Sequence, residues 1–268
     1  MEENKDVLIA YTLDGLGAES YKGYLAHAFC EGGSCQLLFN GEVFDFKGGD
    51  VLIVRKGDLM ERIVPSADFR VRVIYVTKGF IELSTPQSNY GMKGQIALFH
   101  NPVMRLTLEQ QRICARDFDV VESRVRDKGH HFYRDAMVNA VQSMIIDFFE
   151  FHSCLNGMRE ISSQKASIMN RFLSMLENGE YYRHREVTYY ADKLCITSKY
   201  LSEVTKKVSG YAANYWINRY TILGISRLLR DKSQTFVQIS DTFGFSSPAY
   251  FSRYVQHNLG LNPSDYRN

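Results

Sequence analysis

The chain has 268 residues, 45% hydrophobic and 23% charged, with 32 Lys+Arg against 30 Asp+Glu and a formal net charge of +2. That composition excludes disordered and fibrous classes, and the length suits one large domain or two ordinary ones. Taken whole, the near-neutral balance argues against a nucleic-acid partner, because a basic footprint shows as excess Lys and Arg. Met1 to Asp6 is acidic and lacks the basic and apolar regions of a secretory signal. The greasiest stretch, Met144 to Phe151, is broken by Asp147 and Glu150, so no membrane span is expected. Five scattered cysteines (Cys30, Cys35, Cys114, Cys154 and Cys195) fit reduced thiols better than a disulfide framework, and a cytoplasmic location is expected.

From Val7 to Thr77 the apolar runs are short, strand-like and punctuated by glycine. Val7–Thr12 is the first such run. Ser34–Phe39 and Glu42–Phe46 flank Asn40-Gly41, a strong hairpin signal because both turn residues accept positive φ. Gly48-Gly49-Asp50 precedes a buried-looking strand, Val51–Val54, then a turn at Lys56-Gly57-Asp58 and a long alternating strand, Phe69–Val76. Short strands at this spacing predict a sandwich or barrel. After Pro102 the period becomes helical, with Thr107 capping a helix to about Asp127 and Gly129 ending it. A second helix, about Tyr133 to His152, carries Met137, Val141, Met144, Ile145, Phe148 and Phe149. It has more apolar surface than one face needs, for packing on the β-region or for a dimer interface. Gly157–Gln164 is polar and reads as a linker, and from Lys165 onward the pattern is wholly helical.

Two segments of that last part share a shape. In the first, a helix over Val187–Leu194 meets a turn at Cys195-Ile196, and Thr197 caps a second helix, Ser198–Val208, that stops before Gly210. In the other, a short amphipathic helix, Val237–Phe243, meets Gly244, and Phe245 reads as a buried staple. Ser246 or Ser247 caps the next helix, Pro248 to about Asn258, with Pro248 in its first turn. Phe251 and Val255 share its inner face, while Ala249, Ser252, Arg253 and Gln256 lie on another; Tyr250, Phe251, Leu201 and Val204 are expected in the core. Two short helices about a tight turn describe a helix-turn-helix. A long helix, Ala212 to Arg230, joins the pairs, and at about 1.5 Å per residue its roughly 28 Å suits major grooves about 34 Å apart.

The second segment resembles the C-terminal signature of the AraC/XylS family of bacterial transcription regulators. Ile239, Gly244-Phe245, Tyr250-Phe251-Ser252-Arg253, Gly260, Pro263 and Tyr266-Arg267 carry the resemblance, and Tyr190-Ala191-Asp192-Lys193-Leu194 extends it upstream, over about Lys165 to Asn268. Departures occur at Val255-Gln256-His257, where a Lys-Lys pair follows Phe in the family, at Gly224-Ile225 for Glu-Ala, and at Ser240 for Ala. By family register, Lys199, Ser202, Glu203 and Lys206 reach base edges from the first recognition helix. Pro248, Ala249, Ser252 and Arg253, with Gln256 on the same face, do so from the second. Arg253 suits guanine O6 and N7, Glu203 suits cytosine N4, and Lys206, Lys207 and Arg219 suit phosphates. The alternative for each is a solvated helix face.

The resemblance implies an α+β chain: a cupin-like β-barrel with two following helices over 1–160, binding an effector and dimerising, then an all-α double helix-turn-helix over 161–268. It also implies double-stranded DNA, a small-molecule effector, a homodimer and RNA polymerase as partners, with no membrane, no cofactor and no catalysis. Gly49–Val54 is similar to the glycine-flanked strand of cupins, but His27 and His100 lack the spacing of a cupin metal site, so no metal is assigned. His130-His131 are expected at a helix end. Tyr24, Ala26, Ala28, Leu38, Arg70, Arg72 and Tyr75 are candidates to meet an effector. Arg70 and Arg72 share a strand face, which is a grip for an anion or the solvated face of an edge strand, and Tyr75 joins them only across a bulge. A cupin-type enzyme with a DNA-binding tail, and a regulator without an effector, are the competing readings. The charge divides accordingly, since 161–268 holds 14 Lys+Arg against 8 Asp+Glu while 1–160 is acidic.

Overall fold

The computed structural model describes residues 6–85, 90–156 and 162–267. Most of the expected linker, residues 157–161, lies outside the described residues. Two compact units divide the chain, Met1–Glu160 and Ile161–Asn268.

In the first unit the strands are β1 (Val7–Ala10), β2 (Tyr24–Gly32), β3 (Ser34–Phe39), β4 (Glu42–Lys47), β5 (Asp50–Val54), β6 (Met60–Pro65), β7 (Arg70–Thr77) and β8 (Val103–Arg105). Its helices are α1 (Lys78–Ser84), α2 (Tyr90–His100), α3 (Leu108–Arg126) and α4 (Tyr133–Asn156). The strands form two antiparallel sheets, ordered β1-β7-β2-β5-β8 and β4-β3-β6. Between β3 and β4, Asn40 and Gly41 take φ of 55° and 78°, the paired positive angles of a two-residue hairpin whose twist matches its strands.

Period-two alternation gives each strand two faces. Ala26, Ala28, Cys30, Leu52, Val73 and Tyr75 of the larger sheet are buried, as are Cys35, Leu37, Phe39 and Phe46 of the smaller one. Because β4 touches β2 and β5, these faces close on each other. On the opposite face of the larger sheet, Leu25, Phe29, Ile53, Ile74 and Val76 pack with Phe118 and Val121 of α3 and with Met137, Val141, Met144, Ile145 and Phe148 of α4. Both faces of β5 are therefore covered, which is why Val51–Val54 is an unbroken apolar run. The large apolar residues of α4 are spent in this packing, while Ile146 and Leu155 stay exposed.

Some expectations need correction. Helical structure does not begin at Pro102: α1 and α2 precede it and the short β8 follows it, while the two expected helices are present as α3 and α4. Nor is β7 an edge strand, since β1 and β2 flank it. Thr107 does cap α3, in a reciprocal capping box with Gln110. His130 Nδ1 accepts from the Phe132 amide in the turn before α4. Among the described residues no helix is long and apolar enough to cross a membrane. All five cysteines are free thiols.

The second unit is helical: α5 (Ser163–Glu177), α6 (Val187–Lys193), α7 (Ser198–Ser209), α8 (Ala213–Arg230), α9 (Phe236–Thr242), α10 (Pro248–Leu259) and α11 (Pro263–Arg267). Trp216, Ile217, Ile225 and Leu229 of α8 are buried, and the Trp216 indole donates to Ser209 Oγ at 2.9 Å.

Candidate DNA-reading surface

The α6–α7 and α9–α10 pairs are built the same way. At the end of α6 the Ile196 amide donates to Ala191 O and the Cys195 amide to Asp192 O. At the end of α9 the Phe245 amide donates to Ser240 O and the Gly244 amide to Asp241 O. Both are Schellman closures, whose pivot residue is left-handed: Cys195 at φ 57° and Gly244 at φ 60°. Each second helix is then started by a hydroxyl, Thr197 Oγ1 accepting from the Tyr200 amide and Ser247 Oγ from the Tyr250 amide. Gly210 and Gly260 end them in left-handed geometry.

Burial then sorts the faces. Leu201, Val204, Thr205 and Val208 hold α7 down, and Phe251 and Val255 hold α10. Lys199, Glu203, Lys206 and Lys207 are exposed on α7 with Ser202 half-buried; Pro248, Ala249, Arg253 and Gln256 are exposed on α10 with Ser252 half-buried. Within each helix the i, i+3, i+4, i+7 spacing puts Lys199, Ser202, Glu203 and Lys206, and likewise Ala249, Ser252, Arg253 and Gln256, on one face. Arg219, on α8, is half-buried.

Tyr250 is a correction: 45% exposed, it is not core. As the third residue of α10 it stands beside the outward face, its ring edge-on to Phe245 at 5.5 Å. It neighbours the buried Phe251 in sequence, but adjacent helical positions are about 100° apart, so the two do not share a face. Thr235 was also missed as a cap; it forms a reciprocal box with Gln238 that starts α9 at Phe236.

Gly224, a departure from the family pattern, has a packing reason. A Cβ there would lie 3.0 Å from Phe243 Cζ and 3.0 Å from Tyr181 Cε2. Glycine to alanine in an exposed helix usually stabilises by about 1 kcal/mol. Gly224→Ala should instead destabilise by about 1–2 kcal/mol, because the rings must be displaced. A rise in thermal midpoint would sink this account.

Residues 190–268 match the family model described as a helix-turn-helix domain. The C-terminal unit carries an AraC-type helix-turn-helix domain. No curated protein matches the chain. Among solved structures, the chain is similar to ToxT from Vibrio cholerae with an unsaturated fatty acid bound, at 14% identity over 100% of this chain and 96% of that one, TM-score 0.47. ToxT bound to (E)-4-(8-methylnaphthalen-1-yl)but-3-enoic acid gives 15% identity over 98% and 97%, TM-score 0.45. The AraC-like transcriptional activator CuxR gives 15% identity over 85% and 78%, TM-score 0.36.

Outside the AraC-type domain, the expected effector residues are divided between different surfaces. Arg72 is neither solvated nor open to a ligand: it pairs with Glu31 at 2.6 Å, Asp119 at 2.5 Å and Glu122 at 3.7 Å, with its guanidinium over Phe118. Arg70 is exposed beside Gly32, and Tyr24 is half-buried. Tyr75 faces the other way, into the space between the sheets with Ala26 and Ala28, and packs on Tyr21 at 4.2 Å; Leu38 is half-buried on the outer face of β3. No bulge of β7 rejoins Tyr75 with the arginines. A separate cavity of about 580 Å³ opens between Val43–Asp45 of β4, Ala97 and Leu98 of α2, Val103–Arg105, and His152 of α4. His27 is buried against Phe148, and no group of three or more His, Cys, Asp or Glu that could hold a metal occurs among the described residues.

Proposed function

We propose that the chain is a sequence-specific DNA-binding transcription regulator whose C-terminal unit reads the duplex and whose N-terminal unit dimerises and takes a small-molecule effector. The observation that carries this reading is the repeated helix pair, each with a buried anchor face and an outward polar face, within the stretch that matches the family. On α7, Lys199, Ser202 and Glu203 read base edges while Lys206 and Lys207 neutralise phosphates; on α10, Ala249, Ser252, Arg253 and Gln256 read bases, with Pro248 setting the approach of the helix. A surplus of six positive charges in 161–268 supports a DNA partner while 1–160 stays acidic. The cavity beside β8 falls in the size range of small-molecule sites and is the place we assign to the effector.

Fluorescence anisotropy with the chain's own promoter region should show specific binding that weakens steeply with salt. Equal affinity for random duplex at moderate salt would remove the proposal. Arg253→Ala is expected to relax discrimination at one base position by about 1–3 kcal/mol. A loss uniform across all sequences would reassign Arg253 to a phosphate.

A further inference from the structure

Tyr181–Arg185 lies upstream of the matched stretch, in a 3-10 turn (Glu180–Tyr182) and the loop before α6, yet it touches both helix pairs. Toward the first pair, the Tyr190 hydroxyl of α6 donates to His184 O at 2.8 Å, and the His184 ring lies flat on Tyr189 at 3.6 Å. Toward the second, Arg183 Nη1 donates to Asp241 O at 3.4 Å, Arg185 Nη1 to Phe243 O, and Arg185 Nη2 to Gly244 O at 3.5 Å. The Arg185 guanidinium also sits 4.3 Å over the Phe245 ring, and Tyr182 lies 4.7 Å from Phe243. Toward α8, Tyr182 Oη accepts from Arg227 Nη2 at 3.0 Å, and Tyr181 fills the space that Gly224 leaves.

The chemistry matches the need. A helix C-terminus leaves carbonyls without intrahelical donors at the negative end of its dipole, and the turn after α9 adds more. A guanidinium supplies several donors in a planar fork and can stack on an aromatic face at the same time, which an ammonium cannot do. The long helix α8 also bridges the pairs, contacting α6 and α7 of the first and α9 and α10 of the second, so the Tyr181–Arg185 segment adds a second connection outside that helix.

We propose that Tyr181–Arg185 is a clasp that fixes the second helix pair against the first, with Arg185 as the positioning residue, so that the chain accepts one spacing between its two contacted DNA segments. This rests on the DNA-reading function proposed above and adds what sets the operator's geometry.

The test uses the full chain and a duplex that the wild type selects from a randomised library, with variants in which the interval between the two contacted segments is lengthened or shortened by one or two base pairs. Wild type should disfavour the altered intervals about tenfold or more, the scale of a mismatched base pair. Arg185→Ala should reduce that preference to within about twofold while keeping its affinity for each segment alone, the expected result if geometry and not contact is lost. Arg185→Lys keeps the charge without the fork and should fall between. Amide exchange of α9–α10 in the DNA-free chain should quicken in Arg185→Ala while α6–α7 is unchanged. An undiminished spacing preference in a folded Arg185→Ala protein overturns the clasp, and if that variant does not fold, Arg185→Lys and Arg183→Ala decide by the same reading. A wild type that selects no sequence overturns the DNA-reading proposal itself, a result distinct from retained spacing.

Discussion

In Phe251→Ala the second helix pair is expected to lose about 3–5 kcal/mol, the range for deleting a buried phenyl ring. Phe251 is fully buried among Ile222, Ile225, Leu229, Ile239, Phe243, Phe245 and Val255, with the Phe245 ring 5.4 Å away. That cluster is small, so no large reserve of apolar contact surrounds the void, and the loss is a large share of what stabilises a domain. Without Phe251 only Val255 remains as a fully buried anchor on the inner face of α10, and the outward face loses its fixed direction. Urea unfolding should therefore show an early transition in the C-terminal unit, and DNA affinity should fall toward the non-specific level. Tyr250→Ala, one residue away and 45% exposed, should cost far less stability. Equal losses for the two would show that the burial pattern of α10 is wrong.

Acid is expected to act on the N-terminal unit through two buried groups of opposite sign. Burial, aided by Arg55, pushes the His27 imidazole down to about 4 from its ordinary 6.5. Between those values the unfolded chain binds a proton that the folded chain refuses, so stability falls as pH falls from 6.5 to 4, by about 3 kcal/mol. Asp117, on α3, goes the other way: burial and then the neighbouring Asp147 raise its carboxyl to about 7 from 3.8. There the folded state holds the extra proton, and the stability gained is present at low pH and lost as pH rises toward 7. The two contributions oppose each other over this window. His27→Leu should leave a chain that grows more stable on acidification from pH 7 to 4, and Asp117→Asn one that weakens. Urea midpoints across that range decide it, the two variants' slopes shifting in opposite directions from the wild type's; identical slopes in all three would remove the explanation.

Legibility in the sequence followed how local each signal is. Thr107, Thr197, Ser247, Asn40-Gly41, Gly210 and Gly244 act within a turn of their own position, and each stands where its chemistry requires. By contrast, β2 is buried on both faces from Leu25 to Cys30, so it offered no alternation to read, and α1 and β8 are too short to show a period. Side-chain partners distant in sequence were not legible. Arg72 reads as an anion grip or a solvated strand residue until Asp119 and Glu122 of α3 arrive beside it, and nothing local to Arg185 points to its partners in the turn after α9. Gly224 looked like a departure from pattern because the rings that require it come from Tyr181 and Phe243.

The hairpin at Asn40-Gly41 also bears on how the molecule ages. Asparagine followed by glycine is the pairing at which unfolded chains deamidate most readily, since the glycine nitrogen can attack the asparagine side-chain carbonyl and expel ammonia. Here the Asn40 side chain is buried and its amide donates to Phe99 O at 3.0 Å, while the Gly41 amide donates to Glu61 Oε1 at 2.7 Å. Both reacting groups are engaged elsewhere for as long as the turn stays closed. Deamidated Asn40 would therefore accumulate only as fast as the hairpin opens, and its abundance in stored protein becomes a chemical clock for unfolding of the N-terminal unit.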